Sequence, residues 1–403
     1  MLEAIGIITE YNPFHKGHLR QIDIVKTHFP GSPVICVMSG NFVQRGEPAI
    51  WNKFVRARAA LLCGADMIIE LPVPFATASA EYFAHYGLSL LNSLGFVKYL
   101  CFGSENDDLE ILKKTAEILV MEPYGFKSEL KARLILGDSY PAARHKALEH
   151  LMPALSDILN KPNNILGIEY IKAIMRLGSN IKPFAIKREG EGYHSSDYTK
   201  ELSSAKAIRE ALRAGKCNLI GLPEKLKPLY DDQIKKGDYH DFDRLGDVLQ
   251  YIVKTSPPEK LAKILDVDEG LHHRIIDILG SERLISKSLW SLKSKRYTYT
   301  RLSRALLHIL LDITTADFNN FYESGPNYVR VLGFRKEWES LFSYINTYCP
   351  LPIITNIKNY HTVLSPIGKE LLEKEIRSTD IYNLSGINPA PKNAEFSESI
   401  VVV

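Results

Sequence analysis

The sequence predicts an α/β protein: a Rossmann-like, doubly wound parallel sheet joined to a mainly helical C-terminal region. Three features lead there. Through the first half, short apolar runs rich in β-branched residues alternate with segments of three- and four-residue apolar spacing. Those runs are nearly continuously apolar, as strands covered on both faces are. Beyond about residue 215 the runs fade and helical spacing dominates.

In chain order, Ala4–Thr9, Pro33–Met38, Met67–Leu71 and Lys98–Phe102 read as strands, with helices at His18–Thr27, Asn52–Cys63 and Ala80–Leu94 between them. Leu109 to about Arg176 is helical, and Asn163–Tyr170 enters the last of these helices. Ile181–Lys187 reads as another strand, and Arg188–Leu202 as a polar loop in which His194 is expected to hydrogen-bond rather than catalyse. Ser203 and Ser204 then cap a helix running through Arg209. A boundary near Gly215–Leu222 is expected to separate residues 1–218 from residues 219–403. Ligands of open parallel sheets bind beyond the carboxyl ends of the strands. That edge gathers His15, Ser39-Gly40-Asn41, Glu70-Leu71-Pro72 and Gly103-Ser104-Glu105, with Glu70 and Glu105 expected to cap helices or pair with arginines.

Bulk properties narrow the class. At 403 residues there is room for two or three domains. Fifty Lys+Arg against 47 Asp+Glu leave a net charge of +3, too small to imply a polyanionic partner without local clustering. The five cysteines form an odd, scattered set without a C-x-x-C pair and read as reduced thiols. No signal peptide is evident and the apolar runs are too short to span a bilayer. A cytoplasmic protein with neither membrane nor DNA as partner is expected.

His15-Lys16-Gly17-His18 directly follows the run Ile5–Thr9. This pattern suits an ATP triphosphate. Gly17 lets backbone approach phosphate, and the following helix offers unpaired N–H groups and its positive dipole end. An imidazole can donate to a phosphate oxygen and stabilise a departing pyrophosphate. Asn12-Pro13-Phe14 shapes the loop, with Phe14 plugging it onto the sheet. A second segment, Leu202-Ser203-Ser204-Ala205-Lys206-Ala207-Ile208-Arg209, presents hydroxyl and backbone donors at a helix start with Arg209 nearly two turns on. Alone, each motif is also compatible with an ordinary loop or a capped surface helix.

Together the two motifs resemble the HIGH-type nucleotidyltransferase superfamily, which binds ATP with H-x-G-H and a later I-S-S-T-x-x-R segment. Ala205 stands at the threonine position, one hydroxyl fewer than the pattern. Thr9–His18, Met38–Ala49 and Pro162–Gly167 resemble the bacterial tRNA(Met) cytidine acetate ligase family. That resemblance implies formation of N4-acetylcytidine at the wobble position of elongator tRNA(Met), from acetate and ATP through acetyl-adenylate, releasing AMP and pyrophosphate. It places ATP on Ile7, Ile8, Thr9, Glu10, Tyr11, Asn12, Pro13, Phe14, His15, Lys16, Gly17, His18, Leu19 and Arg20, and on Gly103, Asn163 and Arg188. Ser203 and Ser204 join them from the second motif. His15, His18 and Arg188 are the expected catalytic residues. No carboxylate cage for a protein-held metal is visible, and magnesium is expected to bridge the phosphates. Gln44 and Arg45, in the polar loop Gly40–Pro48, either lie over the acetyl site or contact the cytosine, unless the loop is simply solvated.

From Ser281 to Arg304 seven cations meet one anion, a local excess of six positive charges, with Trp290, Tyr297 and Tyr299 interleaved. Cations with aromatics suit an RNA loop, and Lys293, Lys295, Arg296 and Arg301 are the expected tRNA contacts. A basic solvated helix face is the competing reading. Asn327–Arg335 either extends this surface or forms a buried turn. Residues 1–218 thus read as the ATP-binding catalytic domain and 219–403 as the tRNA-binding one. Two other functions stay open: adenylylation of a small phosphorylated metabolite, and tRNA binding without catalysis.

Overall fold

The computed structural model describes residues 2–106, 108–188, 203–216, 220–237 and 239–403; His194 and Cys217 lie outside them. Among the described residues ten strands run in chain order: β1 (Ala4–Thr9), β2 (Val34–Ser39), β3 (Phe42–Val43), β4 (Glu47–Pro48), β5 (Met67–Leu71), β6 (Val97–Ser104), β7 (Lys182–Lys187), β8 (Val329–Phe334), β9 (Ile353–Ile354) and β10 (Val401–Val402). Eight of them form one sheet in the order β10-β8-β5-β2-β1-β6-β7, with β9 on β8. From β5 to β7 all pairings are parallel, Ile7 facing Cys36 and Cys36 facing Ile68. The chain lays β2 and β5 to one side of β1, then returns to place β6 and β7 on the other. The crevice between the carboxyl ends of β1 and β6 is therefore the topological switch point, where such sheets bind ligands.

Alternation along the strands feeds two cores. Ile8, Ile35 and Val37 face the helices Ala80–Ser93 and Pro162–Leu177, whose Leu91 and Ile168 join the same cluster. Ile5, Ile7 and Cys36 face the helices Lys16–His28, Lys53–Leu62 and Ala205–Arg213 through Ile22, Leu61 and Ile208. Coverage of both faces explains why these strands are almost wholly apolar. A third, helical core runs from Phe242 to Ile313 and includes Tyr382.

The region beyond residue 218 is not purely helical. β8 pairs antiparallel with β5, and β9 and β10 pair with β8, so residues on both sides of the expected boundary complete one sheet. Arg330 concealed this strand by interrupting Val329–Phe334 with a charge. It is buried all the same. Its guanidinium reaches Glu70 at 2.9 Å and Glu395 at 2.6 Å, while Lys53 reaches Glu70 at 2.6 Å, Glu395 at 2.5 Å and Glu375 at 3.5 Å. Three carboxylates thus share two cations. Burial and the adjacent Glu70 push the Glu375 carboxyl well up, and its Oε2 accepts the Val73 N–H at 2.7 Å.

Removing one member of such a cluster leaves the rest buried and uncompensated. Arg330→Met is expected to cost about 3–5 kcal/mol of folding stability. Urea unfolding with an unchanged m value is the check, and parental stability would mean that water already solvates these carboxylates.

Candidate active site

The loop after β1 builds the floor of the crevice. His15 is the N-cap of the helix Lys16–His28: its Nδ1 accepts the Gly17 N–H at 3.0 Å, and its own N–H donates to His18 Nδ1 at 3.3 Å. The two rings stack at 3.8 Å between centroids. With both Nδ1 atoms accepting from backbone, each neutral ring carries its hydrogen on Nε2 and is a donor there. Burial, with Arg188 and Arg209 nearby, lowers the His15 pKa to about 3; burial, His15 and Arg188 put His18 well below its ordinary value. Tyr11 and Phe14 pack against His18 at 4.9 and 5.5 Å, and Phe14 is fully buried as the sequence suggested. Asn12 locks the loop, its Oδ1 accepting the Ile50 N–H at 2.8 Å.

β6 supplies the facing wall. Gly103 lies under Arg188, whose Cγ would stand 3.1 Å from a Cβ at that position, and the Arg188 N–H donates to the Ser104 carbonyl at 2.8 Å. Glu105 caps the helix Pro162–Leu177, accepting from the Asn164 N–H at 2.9 Å and from the Asn163 side-chain amide. Asn164 Oδ1 in turn accepts from Ser104, Glu105 and Asn106. This clasp sets Asn163 at the pocket wall.

Of the residues expected to hold ATP, Ile8, Thr9, Glu10, Tyr11, Asn12, His15, His18, Gly103, Asn163, Arg188 and Ser204 line one pocket. Lys16, Leu19 and Arg20 border a shallow depression beside it, and Gly17 and Arg20 border a small recess with Gly103 and Arg188. Ile7 and Phe14 are core residues beneath, and Ser203 is buried behind the helix start. Pro13 shapes the loop. Ser204 Oγ accepts the Ala207 N–H at 3.1 Å, and Lys206 and Arg209 reach the pocket from the same helix. Arg209 ties the two motifs together, donating to the Asn12 carbonyl at 2.7 Å and to Glu47 at 3.1 Å.

Gln44 and Arg45, expected over the acetyl site, against the cytosine or in a solvated loop, line the pocket. They sit on the hairpin of β3 and β4. Gly46, at φ +77°, closes its turn against the backbone of Arg304, where a Cβ would come within 2.4 Å of nitrogen. Phe83, Phe102 and Tyr170 line the pocket as well. They read in the sequence as ordinary helix and strand core, so nothing but folding distinguishes them.

The basic segment is placed differently from expectation. Four of its seven cations meet acids remote in sequence: Arg283 with Asp247, Arg296 with Glu269, Arg301 with Asp268, and Arg304 with Asp266. Tyr297 is buried beneath Arg301, whereas Trp290 is 66% exposed with Lys293 5.0 Å from its ring. Lys287 and Lys295 are also exposed. Nor does the segment belong to a distant unit. Arg296, Arg301 and Arg304 line a cleft of about 480 Å³ with Tyr140 and Arg144, and Gln44, Arg45, Asn163 and Leu166 border both cleft and pocket.

A family model described as HIGH Nucleotidyl Transferase matches residues 2–397, and the chain belongs to that family of nucleotidyltransferases. The resemblance narrows further. The tRNA(Met) cytidine acetate ligase of Halothermothrix orenii is 39% identical over 100% of this chain and 99% of its own, and that of Acetivibrio thermocellus 37% over 100% of both. This protein is a member of the tRNA(Met) cytidine acetate ligase family. Two solved structures of Thermotoga maritima TmcAL cover 100% of both chains: the form bound with alpha-thio ATP at TM-score 0.92 and 31% identity, and the apo form at 0.94 and 30%.

The depressed imidazole pKa values have a consequence for stability. As pH falls through about 6.5 the unfolded chain takes up protons at residues 15 and 18 that the folded chain refuses. Folding stability is therefore lost on acidification, by up to about 1.4 kcal/mol per pH unit for each imidazole. ATP, whose phosphates favour protonated imidazole, is expected to recover part of it. Unfolding at pH 7, 6 and 5 with and without ATP, in the parent and in His15→Gln/His18→Gln, checks this: the double variant should show the shallower pH slope.

Proposed function

We propose that this protein is an ATP-dependent ligase that acetylates the wobble cytidine of elongator tRNA(Met) to N4-acetylcytidine, using acetate through acetyl-adenylate. The observation that carries the reading is one pocket holding two donor imidazoles, Arg188 and Arg209, and opening directly into an arginine-lined cleft. Acetate is already anionic at pH 7 and needs no general base to attack the α-phosphate. The site has to align the reactants, neutralise charge and release pyrophosphate. His15 and His18 donate to the α-phosphate and the leaving group, Arg188 neutralises a further phosphate, and Asn163 holds a polar edge of the nucleotide. The cytidine N4 then attacks the acetyl carbonyl and AMP leaves.

Magnesium enters with ATP. Among the described residues no group of three or more His, Cys, Asp or Glu could hold a metal ion, and an ion kept by phosphates and water asks for no such cage. The cleft favours a macromolecular acceptor over a small phosphorylated metabolite, and the intact imidazole pair argues against a purely binding role. The tRNA contacts we propose are Lys293, Lys295, Arg296 and Arg301, joined by Trp290 as an exposed platform for stacking. No described helix is long and apolar enough to cross a membrane, and Cys36, Cys63, Cys101 and Cys349 are free thiols. Both facts suit the cytoplasmic location we propose.

Incubation of the protein with tRNA(Met), ATP and labelled acetate, followed by nucleoside mass analysis, tests the whole reading; absence of acetylated cytidine overturns it. His18→Ala is expected to lower acetyl-AMP formation by about 10²–10³ while the circular dichroism stays native, because a donor to the transition state is removed. Near-parental turnover in the folded variant would remove His18 from the mechanism. Lys293→Glu/Lys295→Glu is expected to weaken tRNA binding. The slope of log affinity against log salt should become shallower by about one for each phosphate that the variant no longer neutralises. ATP affinity, measured without tRNA, should stay near the parental value. An unchanged salt slope would return these lysines to a solvated surface.

A further inference from the structure

We propose that the Glu10 carboxylate accepts the proton that the cytidine N4 amino group releases as it attacks the acetyl carbonyl. This rests on the acetyl-transfer reading above. In that step the N4–C bond forms, the C–O bond to AMP breaks, its electron pair leaves on the phosphate oxygen, and one N4 proton has to be taken up. The two imidazoles are poor acceptors, since their Nδ1 atoms already receive backbone N–H groups and Nε2 carries hydrogen. Arg45, Arg188, Arg209 and Lys206 are cations. The Tyr170 hydroxyl, its pKa raised by burial, donates to the Ile8 carbonyl at 3.5 Å. Glu10 is the one carboxylate among the described residues that line the pocket.

Its placement suits the task. The Arg56 guanidinium holds the Glu10 carbonyl at 2.5 Å, and the Gln44 N–H donates to Oε1 at 2.8 Å. Gln44 borders both pocket and cleft, so the carboxylate stands beside the junction through which a cytosine entering from the cleft meets the adenylate. A carboxylate offers about four lone-pair sites, so one N–H leaves acceptor capacity for the amino proton. Arg45 and Glu47 from the hairpin, Arg209, Arg56 and Tyr170 are the charged and titratable groups around it. Burial raises its pKa against the pull of the Gln44 N–H, Arg45 and Arg209, which makes it a better base than a solvated carboxylate.

Glu10→Gln keeps the shape and the acceptor for the Gln44 N–H but takes up no proton. Acetate-dependent pyrophosphate release and single-turnover transfer from preformed acetyl-adenylate to tRNA(Met) are measured separately. Transfer is expected to fall at least about 100-fold, and pyrophosphate release by less than about tenfold. The parent's transfer rate should rise with pH to a plateau, and that rise should vanish in Glu10→Gln. Glu10→Asp, a second variant should the first fold poorly, should recover part of the rate together with the pH dependence. Parallel losses in both steps would make Glu10 a positioning residue for ATP and overturn the proposal. Parental transfer in Glu10→Gln would overturn it in favour of the leaving phosphate as proton acceptor. If the parent released no pyrophosphate with acetate, the acetyl-transfer reading would fall first and this assignment with it.

Discussion

One buried guanidinium holds the carboxyl edge of the sheet together. Where β1 and β2 end, their carbonyls turn away from the ladder into a region closed to water, and each needs a donor. Arg56 supplies them from a single side chain, reaching the carbonyls of Trp51 at 3.0 Å, Glu10 at 2.5 Å, Ser39 at 3.2 Å and, by its other terminal nitrogen, Gly40. Its planar fork of five donors makes this possible where a lysine's point charge would not. Burial lowers its pKa to about 10, which still leaves it charged at neutral pH. Without it, several buried carbonyls would lack partners, at about 1–3 kcal/mol each. The position of Glu10 and the departure of the Gly40 loop both follow from this residue.

A second set of buried charges brings the end of the chain to the same edge. Lys53 and Arg330 share Glu70, Glu375 and Glu395, which come from β5, the helix Pro366–Asn383 and the turn Ala394–Ser397. The desolvation penalty of such a cluster offsets much of its Coulombic gain, so it is a poor source of net stability. Its effect is on register. A slip of β8 by one residue would turn Arg330 to the opposite face and leave the carboxylates without it. Arg209 plays a comparable part at the pocket, where it binds the loop after β1 to the β3–β4 hairpin and so keeps two motifs almost 200 residues apart in one wall.

Charge on the helical side shows how far linear counting can mislead. Six surplus cations in a short stretch suggested a strongly positive face, yet the loop Asp266–Glu269 and Asp247 fold back to meet four of the cations. The remaining positive character is concentrated at Lys287, Lys293 and Lys295, with Trp290 among them. Three of the paired arginines, Arg296, Arg301 and Arg304, are nonetheless held by their acids along the cleft. A held guanidinium loses less entropy on meeting a phosphate than a free side chain does.

The central strands, the helices between them, the H-x-G-H loop and its serine partner were legible in the sequence. Each is a local pattern: continuous apolar runs, helical spacing, and a glycine between two histidines. β8 was not legible, because Arg330 breaks the apolar run and its neutralising acids are supplied by distant segments. Phe83, Phe102 and Tyr170 were hidden for the opposite reason, being apolar or aromatic residues in places where a core is expected anyway. Tertiary structure alone decided that the basic segment lines a cleft sharing Gln44, Arg45, Asn163 and Leu166 with the pocket of the two histidines. That adjacency depends on Gly46 packing against the backbone of Arg304, with Ser303 donating to the Gly46 carbonyl at 2.9 Å, across more than 250 residues of chain. Local propensity is set by neighbours in sequence, whereas contacts over such separations depend on how whole faces pack, and no run of adjacent residues records that.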